Sequence, residues 1–521
     1  MLLITAEEMR RLDERTIEEA KVPVTTLMEN AGRAAAQQIM VHFPPEQFSQ
    51  VLIISGHGNN GGDGLVVARE LHNMGYQVES WLVGSADKIS TASCEKLKLL
   101  RANGQDTRII EPAQLVVSDY DFTKYDIIVD ALIGIGGVGP LRAPLSELVR
   151  TLNMNSVKRV ALDISTGINT DRGVVESTAF KADLTVTFAV AKFGHFLGAG
   201  SEYTGALVVV DIGLPREFLE DIQPKVRLLT AELISTFIPA RKKQSHKGSY
   251  GHALIVGGSR DMPGAPALAA KSALRAGAGL TTLVVPNSIR ELIFSYLPEA
   301  LFVGLTEHDL GHLSSLELEK FLWERQVGRE YTASCYGCGV GRWPDESEML
   351  KTVINGSTGP LVIDADGLNA LSEGVTLLKE RKSEVILTPH PKEMARLLGA
   401  DVTTVNANRL TVAHDFAVQW QVYLVLKGAG TVVATPDGEL FINSSGGPEL
   451  AKGGTGDVLA GLLSGLLAQG FAVKEAVCAA VFLHGLAGEL ACVNEGENSV
   501  LATDVIEQIG PAMKSLKTIL I

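Results

Sequence analysis

Residues 452–457 read Lys-Gly-Gly-Thr-Gly-Asp and run directly into the apolar stretch 458–467. Glycines before a long apolar run predict the start of a buried helix, whose first N–H groups have no partner within the helix. The helix dipole adds partial positive charge at that end, so this turn predicts an anion site suited to phosphate. Asp457 would be repelled by a phosphate there unless it accepts the proton of a hydroxyl that attacks the phosphate. The alternative is that Asp457 only stabilises the positive end of the helix.

The length and the net charge of the chain limit the classes of protein to which it can belong. The chain has 521 residues, which predicts more than one domain. Its 46 basic and 60 acidic residues give a formal net charge of −14, which argues against nucleic acid or an anionic membrane as the main partner. Thr5 and Glu8 predict a helix capping box, and no basic segment typical of a secretory signal precedes them. We expect a cytoplasmic homo-oligomer with small-molecule partners and without a nucleic-acid or membrane partner.

Two other features fit a cytoplasmic protein without a membrane partner. The apolar region 458–493 is interrupted by Lys474, Glu475 and His484, so it predicts buried helices rather than a membrane span. The five cysteines form no disulfide framework, and residues 335–338 give a lone CxxC pair, for which a zinc or redox role is the minor alternative.

Short apolar runs that end in glycine, serine or aspartate predict parallel strands covered on both faces. They lie at 51–54, 78–83, 126–130, 160–163, 184–188, 207–211, 253–256, 281–285, 361–364, 385–388 and 422–426. Helical spacing covers 5–20, 25–40, 65–71 and 265–276. The predicted class is α/β with two domains, 1–222 and 225–521, because the sequence turns polar and basic at 241–248 before a second series of strands begins.

Two segments, 56–61 and 134–139, match the GxGxxG pattern of dinucleotide-binding loops. The first continues as Gly62-Asp63-Gly64, where a Rossmann helix would begin, so hydride chemistry is not indicated although the loop would suit pyrophosphate. Oxygen-bearing side chains follow the predicted strand ends at Asn60, Asp130, Asp163 and Thr166. Such ligands suit an alkali or alkaline-earth cation better than zinc. The alternative is that Asp130 and Asp163 cap loops.

The first half resembles the YjeF N-terminal domain, the NAD(P)H-hydrate epimerase, in the run 58–69 (GNNGGDGLVVAR), in 27–33 (LMENAGR) and in 130–134 (DALIG). The resemblance implies a Rossmann-like three-layer sandwich that binds the hydrated dinucleotide. The residues it implies for that binding are Asn59, Asn60, Gly61, Gly62, Asp63, Gly134, Ile135, Gly136, Gly137, Val138, Gly139, Pro140 and Asp163. It also implies a potassium ion held by Asn60, Asp130 and Thr166. The chain departs from the family pattern at 55–58, Ile135 and Ser165.

Asp163 is the catalytic candidate of this half. A carboxylate at the carbinol carbon of the substrate ring would help hydroxide leave and then guide water to the other face. The resemblance therefore implies exchange between the R and S hydrates.

In the second half, polar segments follow three predicted strands: 364–369, 388–391 and 427–431. No GxxxxGK[ST] motif occurs in the sequence, which excludes a P-loop enzyme. The anion loop followed directly by Asp457 resembles ribokinase-like kinases. Asp364 as a solvent-facing strand end and His390 as a rigid turn residue are the structural alternatives.

Together with 246–252, 257–259 and 273–280, these segments resemble the YjeF C-terminal domain, the ADP- or ATP-dependent NAD(P)H-hydrate dehydratase. The resemblance implies Mg²⁺ with ADP or ATP, bound by Lys427, Gly428, Ala429, Gly430, Thr431, Gly447, Gly453, Gly454, Thr455 and Gly456. It implies contacts with the hydrate by Gly339, Gly341, His390 and Asp457, with Asp457 catalytic. The chain departs from the family pattern at Cys338, Lys392 and Gly447.

The expected function is repair of hydrated nicotinamide dinucleotides. The first half would epimerise the R and S hydrates, and the second would dehydrate the S form to NAD(P)H through a phosphorylated intermediate. The alternative is a ribokinase-like small-molecule kinase fused to a non-catalytic domain that binds a nucleotide or a partner.

Overall fold

The computed structural model describes residues 1–222, 226–308, 311–326 and 331–518. The chain divides into two compact units, Leu2–Val226 and Arg227–Ile521, the second of which includes Met1. The predicted boundary between residues 222 and 225 falls on 223–225, outside the described residues.

The first unit is an α/β domain. Its strands are β1 (Leu3–Ile4), β2 (Gln50–Ser55), β3 (Gln77–Val83), β4 (Thr107–Ile110), β5 (Ile127–Ala131), β6 (Lys158–Leu162), β7 (Leu184–Phe188), β8 (Ala191–Lys192) and β9 (Ala206–Val210). Its helices are α1 (Ala6–Glu18), α2 (Val24–His42), α3 (Asn59–Asn73), α4 (Thr91–Ala102), α5 (Leu145–Met154), α6 (Gly200–Thr204) and α7 (Arg216–Asp221).

Within the described residues the main sheet has seven strands in the order β4-β3-β2-β5-β6-β7-β9, each parallel to its neighbours. Side chains of a strand alternate between the two faces, so Ile53 packs in one apolar core while Leu52 and Ile54 pack in another. All three are fully buried. The sheet is therefore covered on both faces, as the continuous apolar runs predict.

The second unit is also α/β. Its strands are β10 (Val226–Leu229), β11 (His252–Val256), β12 (Leu280–Pro286), β13 (Leu301–Leu305), β14 (Ala333–Tyr336), β15 (Leu361–Ile363), β16 (Val385–Leu387), β17 (Tyr423–Leu426), β18 (Val432–Ala434) and β19 (Leu440–Asn443). Its helices are α8 (Ala231–Phe237), α9 (Gly264–Ala276), α10 (Asn287–Phe294), α11 (Ser315–Gln326), α12 (Glu346–Gly356), α13 (Asp366–Leu371), α14 (Pro391–Leu398), α15 (Val402–Ala407), α16 (Arg409–Trp420), α17 (Thr455–Ala468), α18 (Val473–Glu495) and α19 (Ala502–Thr518).

Its sheet, as far as the structure describes it, has ten strands in the order β10-β19-β18-β17-β16-β15-β14-β11-β12-β13. The pairs from β17 to β13 are parallel, and β18 pairs antiparallel with both β17 and β19. The carboxyl ends of β14 to β17 therefore lie at one edge of the sheet, where an open α/β fold places its ligands.

Helix α17 is the central helix of this unit and packs closely on α9. A Cβ added at Gly461 would lie 2.0 Å from the carbonyl oxygen of Ala269, and one added at Gly465 would lie 2.5 Å from that of Ala273. Only glycine permits this approach, which fixes the start of α17 above the strand ends. Helix α18 is long and apolar enough to cross a membrane by length and composition, but 72% of its most apolar window is buried inside the protein. It is a core helix of this unit, as the interrupted apolar pattern predicts.

The predicted strands and helices are all present, and Thr5 and Glu8 form the predicted capping box. Strands β1, β4, β8, β10, β13, β14, β18 and β19 are not among the strands predicted from the sequence. One element differs in extent, because α3 begins at Asn59 rather than near residue 65. Gly61, Gly62 and Gly64 permit this early start, because a Cβ at any of them would clash with the closely packed neighbours of α3.

Candidate active sites

The first unit has a cleft of about 700 Å³ at the carboxyl ends of its strands. Residues of α1 and α2 supply one wall, which includes Met9, Asp13 and Ile17 on a single face of α1. The other wall comes from the start of α3, the loop after β5 and the ends of β6 and β7. The predicted residues that line the cleft are Asn59, Asn60, Asp63, Gly134, Ile135, Gly136, Gly137, Val138 and Asp163.

Asp163 directly follows β6 and has a left-handed backbone with φ 66°, which is rare for a residue with a side chain. His195 holds this conformation, since its Nε2 lies 2.9 Å from the carbonyl oxygen of Asp163. The fully buried ammonium of Lys192 donates to Oδ1 of Asp163 and, at 2.8 Å, to Oγ1 of Thr187. Burial acts to raise the pKa of Asp163, but the positive charge of Lys192 outweighs it and the pKa is lowered. Asp163 is therefore an ionised carboxylate at neutral pH.

The strand β8 places Lys192 beside α1. In a small parallel pair, Ile4 of β1 is opposite Lys192 of β8, and α1 begins two residues later at Ala6. The backbone N–H of Ala6 also donates to Asp171 at 2.7 Å. These contacts fix the start of α1 next to the Lys192–Asp163 pair.

Two more carboxyl groups share the cleft. Burial, followed by repulsion from Asp163, raises the pKa of Asp13 to about 6. The same two causes raise the pKa of Asp63 well above its ordinary value. The sequence reading missed Asp13 and Lys192; the only signal for Lys192 was a lone cation just beyond the buried strand 184–188.

Two of the predicted cation ligands, Asp130 and Thr166, contact each other, and the third, Asn60, lines the cleft. Asp130 Oδ1 accepts a hydrogen bond of 2.8 Å from Oγ1 of Thr166, and Oδ2 accepts one of 2.8 Å from the Thr166 N–H. Both polar side-chain atoms of Asn60 are buried and have no hydrogen-bond partner among the described residues. A buried amide without a partner is costly, so the site fits a group that binds the Asn60 oxygen. The oxygen-rich set with one charge fits K⁺.

The remaining predicted residues of this half lie elsewhere. A Cβ at Gly61 would lie 1.8 Å from the carbonyl oxygen of Gly56, and one at Gly62 would lie 2.5 Å from the Met28 side chain. These two glycines are therefore packed against protein and do not line the cleft. Gly139 and Pro140 line a neighbouring cavity of about 260 Å³.

In the second unit, Asp457 lies in the first turn of α17. Gly454 precedes the helix with φ 93°, which favours glycine, and the Thr455 hydroxyl donates to the carbonyls of Leu450 and Lys452, each at 2.8 Å. The predicted Thr455 hydroxyl is thus used to close the loop. Gly453 is exposed, and a Cβ there would meet open space. The turn therefore offers backbone N–H groups rather than the Thr455 side chain to an anion.

Lys427 and Asp364 form an ion pair beneath this turn. Lys427 Nζ lies 2.8 Å from Asp364 Oδ1, and Asp364 is 1% exposed. The alternative that Asp364 faces solvent is therefore wrong. A Cβ at Gly456 would lie 3.5 Å from Lys427 Nζ, which places the ammonium against the helix start. The Lys427 ammonium, which the sequence predicts to bind the nucleotide, is thus paired with the buried Asp364 carboxylate.

The pKa of Asp457 is raised to about 6, first by burial and then by repulsion from Asp364. A hydrogen bond from the Cys338 thiol and the charge of Lys427 act in the opposite direction. Cys335 and Cys338 are both buried free thiols. The described part of the chain has no group of three or more His, Cys, Asp or Glu side chains that would hold a metal, so nothing supports a zinc role for the CxxC pair.

Arg409 supports the loop 427–431 from below. This buried guanidinium donates to the carbonyl oxygens of Leu426 at 2.9 Å, Lys427 at 3.2 Å and Gly430 at 3.4 Å. Within the loop, the Thr431 hydroxyl donates to the Gly428 carbonyl at 3.0 Å. Ala429 belongs to the same loop. The sequence reading missed Arg409, which lies 18 residues before Lys427 and on a different element.

His390 is the N-cap of α14, and its Nδ1 accepts from the N–H groups of Lys392 and Glu393, each at 3.1 Å. It is therefore a rigid turn residue, as the structural alternative stated. Its ring is nevertheless half-exposed. Burial and the nearby Lys427 lower the pKa of His390, while burial raises the pKa of Glu393 to about 7.

Three predicted glycines have local roles. Gly339 and Gly341 have φ 69° and 81°, and both are buried. A Cβ at Gly341 would lie 2.5 Å from the His312 ring, and its N–H donates to Asp366 at 2.9 Å. Gly447 is exposed and donates to Glu449 at 2.8 Å.

Each unit thus has a set of carboxylates and backbone donors at the carboxyl ends of its parallel strands. The fold and the sites define a two-domain α/β enzyme with a candidate active site in each domain. A family model described as NAD(P)H-hydrate dehydratase matches residues 253–511, and one described as YjeF-related protein N-terminus matches 24–194. The first is of the carbohydrate-kinase type, in agreement with a ribokinase-like fold.

Relatives of the whole chain agree with both matches. The chain is 36% identical to a bifunctional NAD(P)H-hydrate repair enzyme of Moorella thermoacetica over 99% of its own length and 97% of the relative's. It is 34% identical to the one of Thermofilum pendens, with the same coverage of both chains. The chain belongs to the family of bifunctional NAD(P)H-hydrate repair enzymes. This confirms the resemblance and the α/β fold class predicted from the sequence.

The second half of the chain is also similar to solved structures. One of them is the ADP/ATP-dependent NAD(P)H-hydrate dehydratase of Bacillus subtilis, co-crystallised with ATP and Mg²⁺. It is 33% identical, covers 56% of this chain and 99% of its own, and has a TM-score of 0.49.

Proposed function

We propose that residues 2–226 epimerise the R and S hydrates of NADH and NADPH, and that residues 227–521 dehydrate the S form with ADP or ATP. The observation that carries the proposal is the position of Asp457, a carboxylate in the first turn of α17 beside the amides of an anion-binding helix start. Binding an anion alone would disfavour a carboxylate there. A base that deprotonates a hydroxyl next to the phosphate explains it.

In the second unit, Asp457 accepts the proton of the hydroxyl on C6 of the hydrated ring. The freed oxygen attacks the terminal phosphoryl group of the nucleotide, which the N–H groups of Gly453 to Gly456 hold. The nucleotide departs one phosphoryl group shorter. The lone pair of the ring nitrogen then expels phosphate, a better leaving group than hydroxide, and loss of a proton gives NADH or NADPH.

Lys427 supports this step through charge, because its ammonium lies against the start of α17. Mg²⁺ bound to the nucleotide phosphates would neutralise their charge. Since the described residues lack a cluster of three metal-ligating side chains, the phosphates would supply most of its ligands. Asp366 is the nearby carboxylate that remains for it.

In the first unit, ionised Asp163 lies where the ring of the hydrate would enter. Asn60, Asp130 and Thr166 would hold K⁺, whose charge favours binding of the dinucleotide phosphates near the start of α3. Loss of hydroxide from C6 leaves a cationic ring, which the Asp163 carboxylate stabilises.

The test uses a mixture of R and S NADH hydrates with ADP or ATP and follows the return of NADH absorbance. Wild-type protein is expected to consume both hydrates. Asp457→Asn should stop the return of NADH and keep nucleotide affinity within about threefold, while Asp415→Asn on the exposed face of α16 is the matched control. No return of NADH with either nucleotide, from folded wild-type protein, would overturn the dehydratase proposal.

The same reaction mixture distinguishes the proposed dehydratase from the alternative function, a small-molecule kinase. Phosphorus NMR would show a stable phosphate ester that accumulates if the second unit only phosphorylates its substrate. Asp163→Ala should leave the R hydrate unconsumed beyond its spontaneous epimerisation. Equal consumption of R hydrate by that variant would favour a non-catalytic first unit. The homo-oligomeric state and the cytoplasmic location stay predictions from the sequence.

A further inference from the structure

The cleft of the first unit has carboxyl groups on both of its walls. Asp13 belongs to the α1 wall, while Asp163 belongs to the wall formed by strand ends. Asp63, at the start of α3, lines the same cleft. A ring bound in this cleft would therefore lie beside a carboxyl group of α1 and a carboxyl group at a strand end.

Exchange of the two hydrates requires chemistry on both faces of the ring. Hydroxide leaves C6 on one face, and water must add on the opposite face. Lys192 keeps Asp163 ionised, so Asp163 is suited to receive a proton and not to supply one at neutral pH. A second group is needed to protonate the departing oxygen.

We propose that Asp13 is that second catalytic residue and that the epimerase site works with one carboxyl group on each wall. This inference rests on the proposed epimerase function of the first unit.

The steps balance. The C6–O bond breaks with its electron pair on oxygen, while the Asp13 carboxyl proton passes to that oxygen and water leaves. The lone pair of the ring nitrogen forms the N=C6 bond of the cationic ring. Water then adds to C6 from the other wall, its proton passes to the Asp163 carboxylate, and the N=C6 electrons return to nitrogen. Asp13 ends ionised and Asp163 protonated, and the reverse conversion or exchange with solvent restores the first state.

The surroundings of Asp13 fit a proton donor. Burial and the Asp163 charge raise the pKa of Asp13 to about 6, so about a tenth of it is protonated at pH 7. The charged groups that act on it are Asp163 and Glu14, which raise its pKa, and Lys192, which lowers it. Asp63 interacts with it as a further carboxyl group. Because β1 pairs with β8, the start of α1 is fixed beside Lys192. This strand pairing therefore connects the two walls of the cleft.

The experiment measures conversion of pure R hydrate to S hydrate by the full chain without nucleotide, across pH, with the spontaneous rate subtracted. Wild-type kcat/KM should decline as pH rises through about 6, since the donor loses its proton. Asp13→Asn should lower the rate about 100-fold and remove this alkaline decline. Asp13→Glu should restore part of both. Glu18→Gln, at the exposed C-terminal end of α1, is the matched control and should keep the wild-type profile.

Two results would overturn the inference. One is an Asp13→Asn rate and pH profile equal to wild type. The other is loss of the alkaline decline in Asp63→Asn but not in Asp13→Asn, which would make Asp63 the donor. Amide hydrogen exchange of the strands β2 and β5, measured in the same samples, shows that the first unit of each variant is folded. Absence of catalysed epimerisation in wild type would instead overturn the proposed epimerase function itself.

Discussion

Lys427 Nζ lies 2.8 Å from Oδ1 of Asp364, and the carboxylate is almost completely buried. Burial alone would lower the pKa of Lys427, but Asp364 and Glu393 more than offset it and the pKa is raised. The ammonium is therefore charged and fixed beneath the start of α17. A lysine that the sequence predicts to bind the nucleotide is thus held in position by a residue at the end of a different strand.

The first prediction concerns the stability of this pair. Lys427→Met leaves the Asp364 carboxylate buried without a partner, so we expect the second unit to lose about 3 kcal/mol of unfolding free energy. Adding Asp364→Asn should recover part of this loss, because it removes the unpaired charge. Urea unfolding of the two single variants and the double variant measures the coupling.

The control for this cycle is Lys474→Met, because the Lys474–Glu439 pair, with a donor–acceptor distance of 2.7 Å, is 44% and 34% exposed. Its removal should change the unfolding free energy by less than about 1 kcal/mol. Additive losses in the Lys427 and Asp364 variants would show that the buried pair is not coupled.

The second prediction is the pH dependence of the dehydratase. Asp457 must be ionised to accept a proton, and its pKa is raised to about 6. The kcat/KM for S hydrate should therefore fall as pH decreases through about 6, to about a tenth of its plateau at pH 5. Cys338→Ala removes the thiol hydrogen bond that lowers the pKa of Asp457, so its acid limb should move to higher pH.

Cys478→Ala provides the comparison, since Cys478 is also buried but lies in α18. Its acid limb should coincide with that of wild type. A limb that stays in place in Cys338→Ala would remove the thiol from the control of Asp457, and a limb that persists in Asp457→Asn would assign it to another group.

The third prediction tests the cation site without an activity assay. If Asn60 binds K⁺, KCl should slow amide hydrogen exchange at the start of α3 relative to choline chloride at equal ionic strength. A concentration ten times the dissociation constant stabilises the bound state by about 1.4 kcal/mol, which is about tenfold in protection. Asn60→Ala should lose the effect. Asn73→Ala, at the exposed end of the same helix, should keep it. Equal slowing in both variants would contradict a site at Asn60.

Much of this architecture is predictable from local sequence. Apolar runs such as 51–54 and 184–188 identify strands because both faces of the sheet are covered. Strand β14, residues 333–336, is not predicted, because Ser334 and Cys335 interrupt the apolar pattern although both are buried. Its position in the middle of the sheet depends on pairing with β11 and β15, which are far away in the chain.

Some residues of the candidate sites are likewise predictable from local sequence, and others are not. Asp457 and Asp163 are predictable because a strand or helix end places them at an expected position. Asp13 and Lys192 are not, because only the pairing of β1 with β8, which joins residues almost 190 positions apart, brings Lys192 beside α1. Each reads in isolation as an ordinary charged residue. Tertiary contacts, and not local pattern, give them their chemical character.

Arg409 provides the last prediction, because its role is to hold backbone and not to touch a ligand. Its guanidinium donates to the carbonyls of Leu426, Lys427 and Gly430, and burial lowers its pKa to about 10, which leaves it charged at neutral pH. Arg409→Met should release the loop 427–431, raise the KM for nucleotide about tenfold and change kcat less than about threefold. Arg381→Met is the matched control, since Arg381 also donates to two backbone carbonyls, at 2.6 and 2.9 Å, but beside the opposite ends of the strands. It should reduce stability and leave the KM for nucleotide unchanged. An equal rise in KM in both variants would mean that general destabilisation, and not the shape of the loop, weakens nucleotide binding.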